Sequence, residues 1–491
     1  MPDFGFVGPS YVARSLYQDD QETINWFPEI DHNKDPKGVL DSPGRGVIAL
    51  LPTPGLVTRA GQVGGSAPQW APAEVRAMYP IAGATLLLAV VGSNVYQLTQ
   101  TYTATLVGTL GTSSGQVRIT DNGLSALLAD GVSRYSYTWG TGAFAVQNDG
   151  AFSGANSLDI VDNYMIYNDL NSQQWGCTNS LSVVSNALNV ASKDGSSDNL
   201  VTLIVVNRQV FLMGYLTYEV WTDAGLFPFP FQRIPGTSKQ HGCAAPFTIA
   251  RLGEGFAWLT NDTRGNATVA MMVGYEPLRI STHAVEYAIE QYTKIDDAIA
   301  YSYQQAGHEF YVLTFPTADV TWCYDLATQL WHKRAWRDAH NVLHRHRSNC
   351  CAAFNDEILV GDYSNGNIYA LSQTEYTDNG DPLPCIRRAP HLTTDLKRQY
   401  FHDLQIQFQP GVGLQSGQGS DPQAMLMWSN DGGSTWSNQH WAGMGKVGEY
   451  KRRAIWRRLG QARDRIFQVE VTDPVFRVVV SANLNASAGA A

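Results

Sequence analysis

Between residues 75 and 373 the chain repeats its rhythm without repeating its letters. A turn rich in Gly, Asn or Asp is followed by a short apolar run, a second turn, and a run ending in Tyr or Trp. The pattern appears in AGATLLLAVVGSNVYQL, NGLSALLADGVSRYSY, DNYMIYNDLNSQQWGC and NRQVFLMGYLTYEVWTD. It returns in GEGFAWLTNDTRGNATVAMMVG, GHEFYVLTFPTADVTWCYDLATQLWHKR and NDEILVGDYSNGNIYAL. The turns open near 83, 122, 162, 207, 253, 307 and 355, a spacing of roughly 40–54 residues, in the range of propeller blades. A hairpin with one apolar face is not stable alone. Stacking such units around an axis buries those faces and leaves only short, protected edges. The pattern therefore predicts an all-β chain with a β-propeller of six or seven blades over residues 61–373. A set of β-sandwiches with similar turn spacing is the alternative.

Composition agrees with strands. Gly (45), Tyr (23), Phe (18) and Trp (13) are abundant, and charged residues make up only 16%, against about 25% in ordinary globular chains. The net charge of −10 excludes a globally basic nucleic-acid coat and leaves room for a local basic patch. The six cysteines, at 177, 243, 323, 350, 351 and 385, form no CxxC pair. They read as free thiols of a protein made in a reducing cytoplasm. The N-terminus has neither the basic nor the apolar region of a secretory leader. The longest apolar run, Ile81 to Val91, is interrupted by Gly83 and Thr85 and is far too short to span a bilayer.

The two ends differ from the middle. Residues 1–60 hold many prolines and glycines, which excludes a long helix. They are expected to form an extended arm, with at most one short turn in Asp19–Glu29. One helix is expected, in STHAVEYAIEQYTKIDD, where Val285, Ala288, Ile289 and Tyr292 share a face and Ser281 or Thr282 can cap it. Residues 374–395 are turn-rich and read as a linker or crossing segment. Residues 396–485 alternate apolar and polar and predict a second, sandwich-like antiparallel domain. Residues 486–491, ASAGAA, are expected to fray.

Three motifs bear on chemistry. Ser429, Asp431, Gly433, Thr435 and Trp436 match the Asp-box pattern S-x-D-x-G-x-T-W. In it the carboxylate accepts backbone N–H groups and Gly supplies a positive φ. In sialidases such boxes are structural and lie away from the active site. No arginine triad or Tyr–Glu–Asp frame accompanies this one, so a glycosidase is not indicated. The second motif is a basic run. Between 446 and 465 there are eight Lys or Arg against two acids, and Lys451, Arg452, Arg453, Arg457, Arg458, Arg463 and Arg465 form the candidate patch. It reads first as a subunit interface in which arginines pair with a neighbour's carboxylates. Phosphate contact with DNA, with aromatic interleaving, and a plain solvated face are the alternatives. Third, His344, His346, Cys350 and Cys351 lie close in HRHRSNCC, but their spacing fits no common zinc site. No nucleotide loop, HExxH or GxSxG occurs. No cofactor, metal or catalytic residue is assigned, and the chain is expected not to be an enzyme.

Both termini carry a resemblance. Glu22-Thr23-Ile24-Asn25-Trp26-Phe27-Pro28-Glu29, followed by Pro54-Gly55-Leu56, resembles the opening of the phage stabilisation proteins. WSNDGGSTWS, followed by GEYKRRAIWRRLGQARDRIFQVEVTDP, resembles the close of the same family. These are the tail hub, or nozzle, proteins of short-tailed bacteriophages. The resemblance implies a structural virion protein made in the host bacterial cytoplasm and built into the virion tail. It implies a homo-oligomeric ring, expected to be a hexamer, below the portal and adaptor proteins. The ring would extend the DNA channel, help retain packaged double-stranded DNA, and mount a tail needle, fibres or spikes. The family has no catalytic residues. The rival reading is a tail propeller that binds host glycan as a receptor-binding protein.

Overall fold

The computed structural model describes residues 4–11, 20–30, 46–261, 267–393 and 397–489. Seven small antiparallel sheets follow one another along the chain as the blades of a propeller. Their inner strands are Val75–Ile81, Arg118–Asp121, Leu158–Val161, Leu200–Val206, Ala250–Leu252, Ile299–Gln305 and Ser348–Phe354, in blades 1 to 7. Each turn read from the sequence is the first hairpin of a blade. Asn207 and Arg208 have φ of 51° and 63°, and Asn355 and Asp356 have 54° and 59°. These are two-residue turns with both residues left-handed, whose twist matches that of the strands they join.

Blade strands are apolar on both faces because each blade is sandwiched between two others. In LLLAVV, Leu87, Ala89 and Val91 pack against Ala352, Leu359 and Ala370 of blade 7. Leu88 and Val90 pack against Ile119, Ala126 and Leu128 of blade 2. The same arrangement recurs between blades 2 and 3, 3 and 4, 4 and 5, 5 and 6, and 6 and 7. Each fully buried Leu, Val or Phe is worth about 1.5–3 kcal/mol of transfer free energy. The helix is His283–Glu290, between blades 5 and 6. The Thr282 side chain caps it by accepting from the Val285 N–H, and Ala284, Val285, Ala288 and Ile289 face the core.

The N-terminal segment is not an arm laid over a finished surface. Its strand Gly55–Ala60 pairs antiparallel with Ile368–Ser372 and becomes the fourth strand of blade 7. A strand that precedes the propeller and one at its far end thus close the ring. Trp26–Ile30 and Val47–Pro52 join Val479–Ala488, Gln399–Phe408 and Ala454–Ala462 in one sheet of a C-terminal sandwich. Within 20–29 there is no helical turn: Glu22–Ile24 and Trp26–Ile30 are strands. Pro28 is tolerated because its strand is at the sheet edge. Residues 31–45 lie outside the described residues.

The expected linker is also a correction. Cys385–Arg388 is an internal strand of the other sandwich sheet, between Glu22–Ile24 and Asp464–Val471. That sheet continues through Gln423–Ser429 to His440–Gly443 on one side. On the other side Glu22–Ile24 pairs parallel with blade 6, through Ile24 and Lys333. One sheet therefore runs from the propeller into the sandwich. Trp26, Phe401, Leu404, Leu426, Trp456, Phe467 and Val469 build the sandwich core. Of the expected frayed tail, Ala486–Ala488 pair with Gln399–Phe401, and 490–491 lie outside the described residues.

Two buried polar side chains fasten the joint. Asn25 sits between the two N-terminal strands at φ 54°. Its Nδ2 donates to the Ala335 and Pro384 carbonyls at 2.7 Å each, and its Oδ1 accepts from the Ala335 N–H at 3.0 Å. Arg387 is fully buried. It donates to the carbonyls of Gly5, Phe6 and Pro9 and to the side chains of Thr23 and Gln21, which ties the first residues to the sandwich.

Candidate functional site

The Asp-box forms the hairpin after strand Gln423–Ser429. The Asp431 carboxylate accepts from the Ser429 hydroxyl at 2.7 Å, the Thr435 N–H at 2.8 Å and the Thr435 hydroxyl at 2.6 Å. The Thr435 and Ser429 bonds hold its pKa down at about 2. Gly433 has φ of +92° and donates its N–H to Ser429 Oγ at 2.9 Å. Trp436 is half-buried with the Arg388 guanidinium 5.2 Å above its ring. The Ser429, Asp431, Gly433 and Thr435 polar groups bond one another within the hairpin, an arrangement that shapes the turn.

The basic run behaves differently. Ala454–Ala462 is the edge strand of its sheet, paired on one side only, with Gln399–Phe408. The register slips between Phe401 and Asp403, where Arg458 takes a φ of 60°. Such a bulge, with charged side chains, blunts an edge against indiscriminate strand pairing. Ala454, Trp456 and Leu459 point into the core, and the Trp456 indole donates to the His440 carbonyl at 2.7 Å. Lys451, Arg452, Arg453, Arg457, Arg458 and Arg463 are all exposed. Among the described residues none of these six is in an ion pair. With Trp441, Lys451, Arg452, Arg453 and Arg457 line a cleft of about 510 Å³.

Arg465 does not belong to this surface. It is 2% exposed and lies 4.5 Å over the Phe401 ring. It donates to Asn430 Oδ1 at 2.9 Å and to the Leu459 carbonyl. Arg465 is on the core face of strand Asp464–Val471, one residue past Asp464, whereas Arg463 lies in the turn before that strand, a distinction the linear count could not make. The candidate patch left out Trp441 and Tyr450, which are 59% and 71% exposed beside the cations, although Tyr450 stands within the basic run itself. Their signal is in the letters, an aromatic residue flanking each end of the approach to a basic run. The cleft thus offers uncompensated guanidinium groups and aromatic faces, the chemistry that receives carboxylates or phosphates.

HRHRSNCC disperses. His344 Nδ1 bonds Asp319 at 2.7 Å. His346 is buried, and its Nδ1 meets Ser348 Oγ at 2.7 Å. Cys350 faces blade 1 and Cys351 faces blade 6, because successive residues of a strand point oppositely. Among the described residues no three His, Cys, Asp or Glu side chains gather as metal ligands. All six cysteines are free thiols, and among the described residues no helix is long and apolar enough to cross a membrane.

Comparison with known proteins agrees with both parts of the fold. The family model described as bacteriophage P22 Gp10, β-propeller, matches residues 83–376, and the one described as P22 Gp10, β-sandwich, matches residues 385–487. No curated protein matches the chain. Among solved structures, the N-terminal domain of Nup159 aligns with 74% of this chain and 97% of its own, at 9% identity and a TM-score of 0.38. The extracellular domain of the hybrid two-component system BT4673 of B. thetaiotaomicron aligns with 73% of this chain and 43% of its own, at 10% identity and 0.43. On the two family matches, which between them take in most of the propeller and the sandwich, the chain belongs to the phage stabilisation protein family, the phage structural proteins of the P22 Gp10 kind.

Proposed function

We propose that this chain is the tail hub, or nozzle, of a short-tailed phage. Copies assemble into a ring, expected to be hexameric, below the portal and adaptor. The ring extends the DNA channel, helps retain the packaged genome, and mounts a needle, fibres or spikes. The observation that carries this reading is that one phage protein's propeller and sandwich models match in order along one chain.

The geometry supports one refinement. The propeller axis holds a cavity of only about 440 Å³, crossed by Arg118 and Phe247, far too small for a duplex. The DNA path therefore lies between copies, and each propeller is part of the wall. The basic edge at Lys451, Arg452, Arg453, Arg457, Arg458 and Arg463 is the subunit contact. Charge supports that assignment. Residues 385–487 hold thirteen Lys or Arg and eight Asp or Glu, a net +5 in a chain of net −10, so the remainder carries −15. A basic sandwich edge against an acidic neighbour is a head-to-tail contact, the kind that closes into rings. Electron microscopy of the source particle, labelled with an antibody to this chain, tests the reading. Label at the narrow tube under the portal is expected. Label on peripheral appendages, or none on the particle, refutes it.

A further inference from the structure

The inner strands of all seven blades line the axial cavity. Its wall contains three arginines, Arg76, Arg118 and Arg251, and one carboxylate, Asp159. Two of the arginines are accounted for. Arg76 turns its guanidinium to the carbonyls of Gly92, Thr112 and Ser114, in the loops around blade 1. Arg251 bonds both oxygens of Asp159, at 3.1 and 3.0 Å.

Arg118 is left over. It starts the inner strand of blade 2 and reaches across the axis, with its guanidinium carbon 5.2 Å from the centroid of the Phe247 ring at the entry to blade 5. Its Nη2 is shut off from solvent and has no hydrogen-bond partner. Asp159 does not serve it. That carboxylate also accepts the Ile160 N–H at 2.9 Å and the Val205 N–H at 2.8 Å, besides Arg251. Burial draws the Arg118 pKa down to about 10 against the pull of Asp159, so the group is still a cation at pH 7. A half-buried cation turned into a cavity whose one carboxylate is already shared by Arg251 and two backbone N–H groups is short of counter-charge, and a guanidinium is a planar donor fork that fits oxyanions.

We propose that the axial cavity is a binding site for a small oxyanion, held by Arg118 across the propeller axis from Phe247. The volume accommodates inorganic phosphate with a few waters. The bound anion neutralises the surplus charge of the wall and ties the inner strands of opposite blades together. It makes the propeller hub a filled, cross-braced centre.

The test uses the full chain, with inorganic phosphate as the probe, replacing gluconate at constant ionic strength. Phosphate raises the thermal midpoint of the wild-type protein in a saturable way, and calorimetry resolves one site per chain that is lost in Arg118→Gln. Arg118→Gln abolishes the rise. Arg457→Gln, in the outer cleft, keeps it, which separates axial binding from surface binding. No rise in the wild type, an equal rise in Arg118→Gln, or loss of the rise in Arg457→Gln overturns the proposal. Should Arg118→Gln fail to fold, a density map of the wild type in phosphate buffer decides. A peak within hydrogen-bond reach of Arg118 supports the site, and a cavity without one overturns it.

Discussion

Replacing Asn25 by Ala tests whether one side chain fastens the propeller to the sandwich. The substitution removes three buried hydrogen bonds, two donated by Nδ2 and one accepted by Oδ1. It leaves the Ala335 N–H and the Ala335 and Pro384 carbonyls without that partner in a dry interface. An orphaned buried group costs about 1–3 kcal/mol, and the N–H is the most expensive of the three because a carbonyl has a second lone pair. The backbone at φ 54° adds roughly 1 kcal/mol for Ala, which lacks the local hydrogen bonds that let Asn occupy this region. The sum is about 3–6 kcal/mol, a large share of the ~5–15 kcal/mol that holds a folded domain. Asn25→Gly suffers the same hydrogen-bond loss without the backbone strain, so it should recover roughly 1 kcal/mol of the Ala deficit. Urea unfolding of the three proteins measures these differences, and hydrogen exchange locates them. The Ala335 amide should lose protection while amides in the middle strands of blades 2 and 3 keep theirs. An Ala variant within about 1 kcal/mol of wild type, or a Gly variant no better than Ala, refutes the reasoning.

Four other outcomes are expected. Arg453→Glu with Arg457→Glu should leave the thermal midpoint of the monomer nearly unchanged and abolish its association, read by light scattering; unchanged association rejects the basic edge as a contact. A chain beginning at residue 62 lacks Gly55–Ala60, so it should expose the Ile368–Ser372 edge and aggregate during refolding, seen as turbidity. Buried His346 has its pKa lowered to about 3 by burial and by the charges of Arg334 and Arg347. Its unfolded form therefore takes up the proton first, and stability should fall as pH drops from about 6.5 towards 3; His346→Gln should flatten that limb of the pH profile. His308 works in the opposite direction. Its pKa is raised, first by the Asp325 hydrogen bond, so its contribution is complete below about pH 6.5 and fades as pH rises through the folded value. His308→Gln should narrow the stability difference between pH 6 and pH 8, measured by the same denaturation.

What the sequence disclosed was local, and what it hid was pairing at a distance. The seven hairpin turns were legible because Asn207-Arg208 and Asn355-Asp356 write their geometry into adjacent letters. That the extended N-terminal arm could close the propeller was open to reading, but its partner was not, since nothing in GLVTRA names Ile368–Ser372, at the far end of the propeller. CIRR looked like part of a linker because two arginines argue against an internal strand. Arg387 overrides that by finding three carbonyls and two polar side chains inside the protein. The basic edge was visible as charge. Its depth was not, so Arg465, buried on the core face of the next strand, was counted with the exposed cations of the edge. Arg118, one letter in RITD, carries no mark of its position on the axis.

The sheet that passes from blade 6 into the sandwich also sets where this molecule would yield under load. Tension between propeller and sandwich is carried across the strands, in the direction in which ladder hydrogen bonds open one at a time. The narrowest section is the parallel pairing of Ile24 with Lys333. There the Lys333 ammonium grips Glu22 at 2.7 Å. Against the upward push of burial, the charges of Lys333 and Arg388 keep Glu22 ionised with a pKa of about 2. A rivet that stays charged across the physiological pH range sits at the seam where rupture would begin. Under load the propeller and sandwich are therefore expected to separate first between Glu22–Ile24 and blade 6.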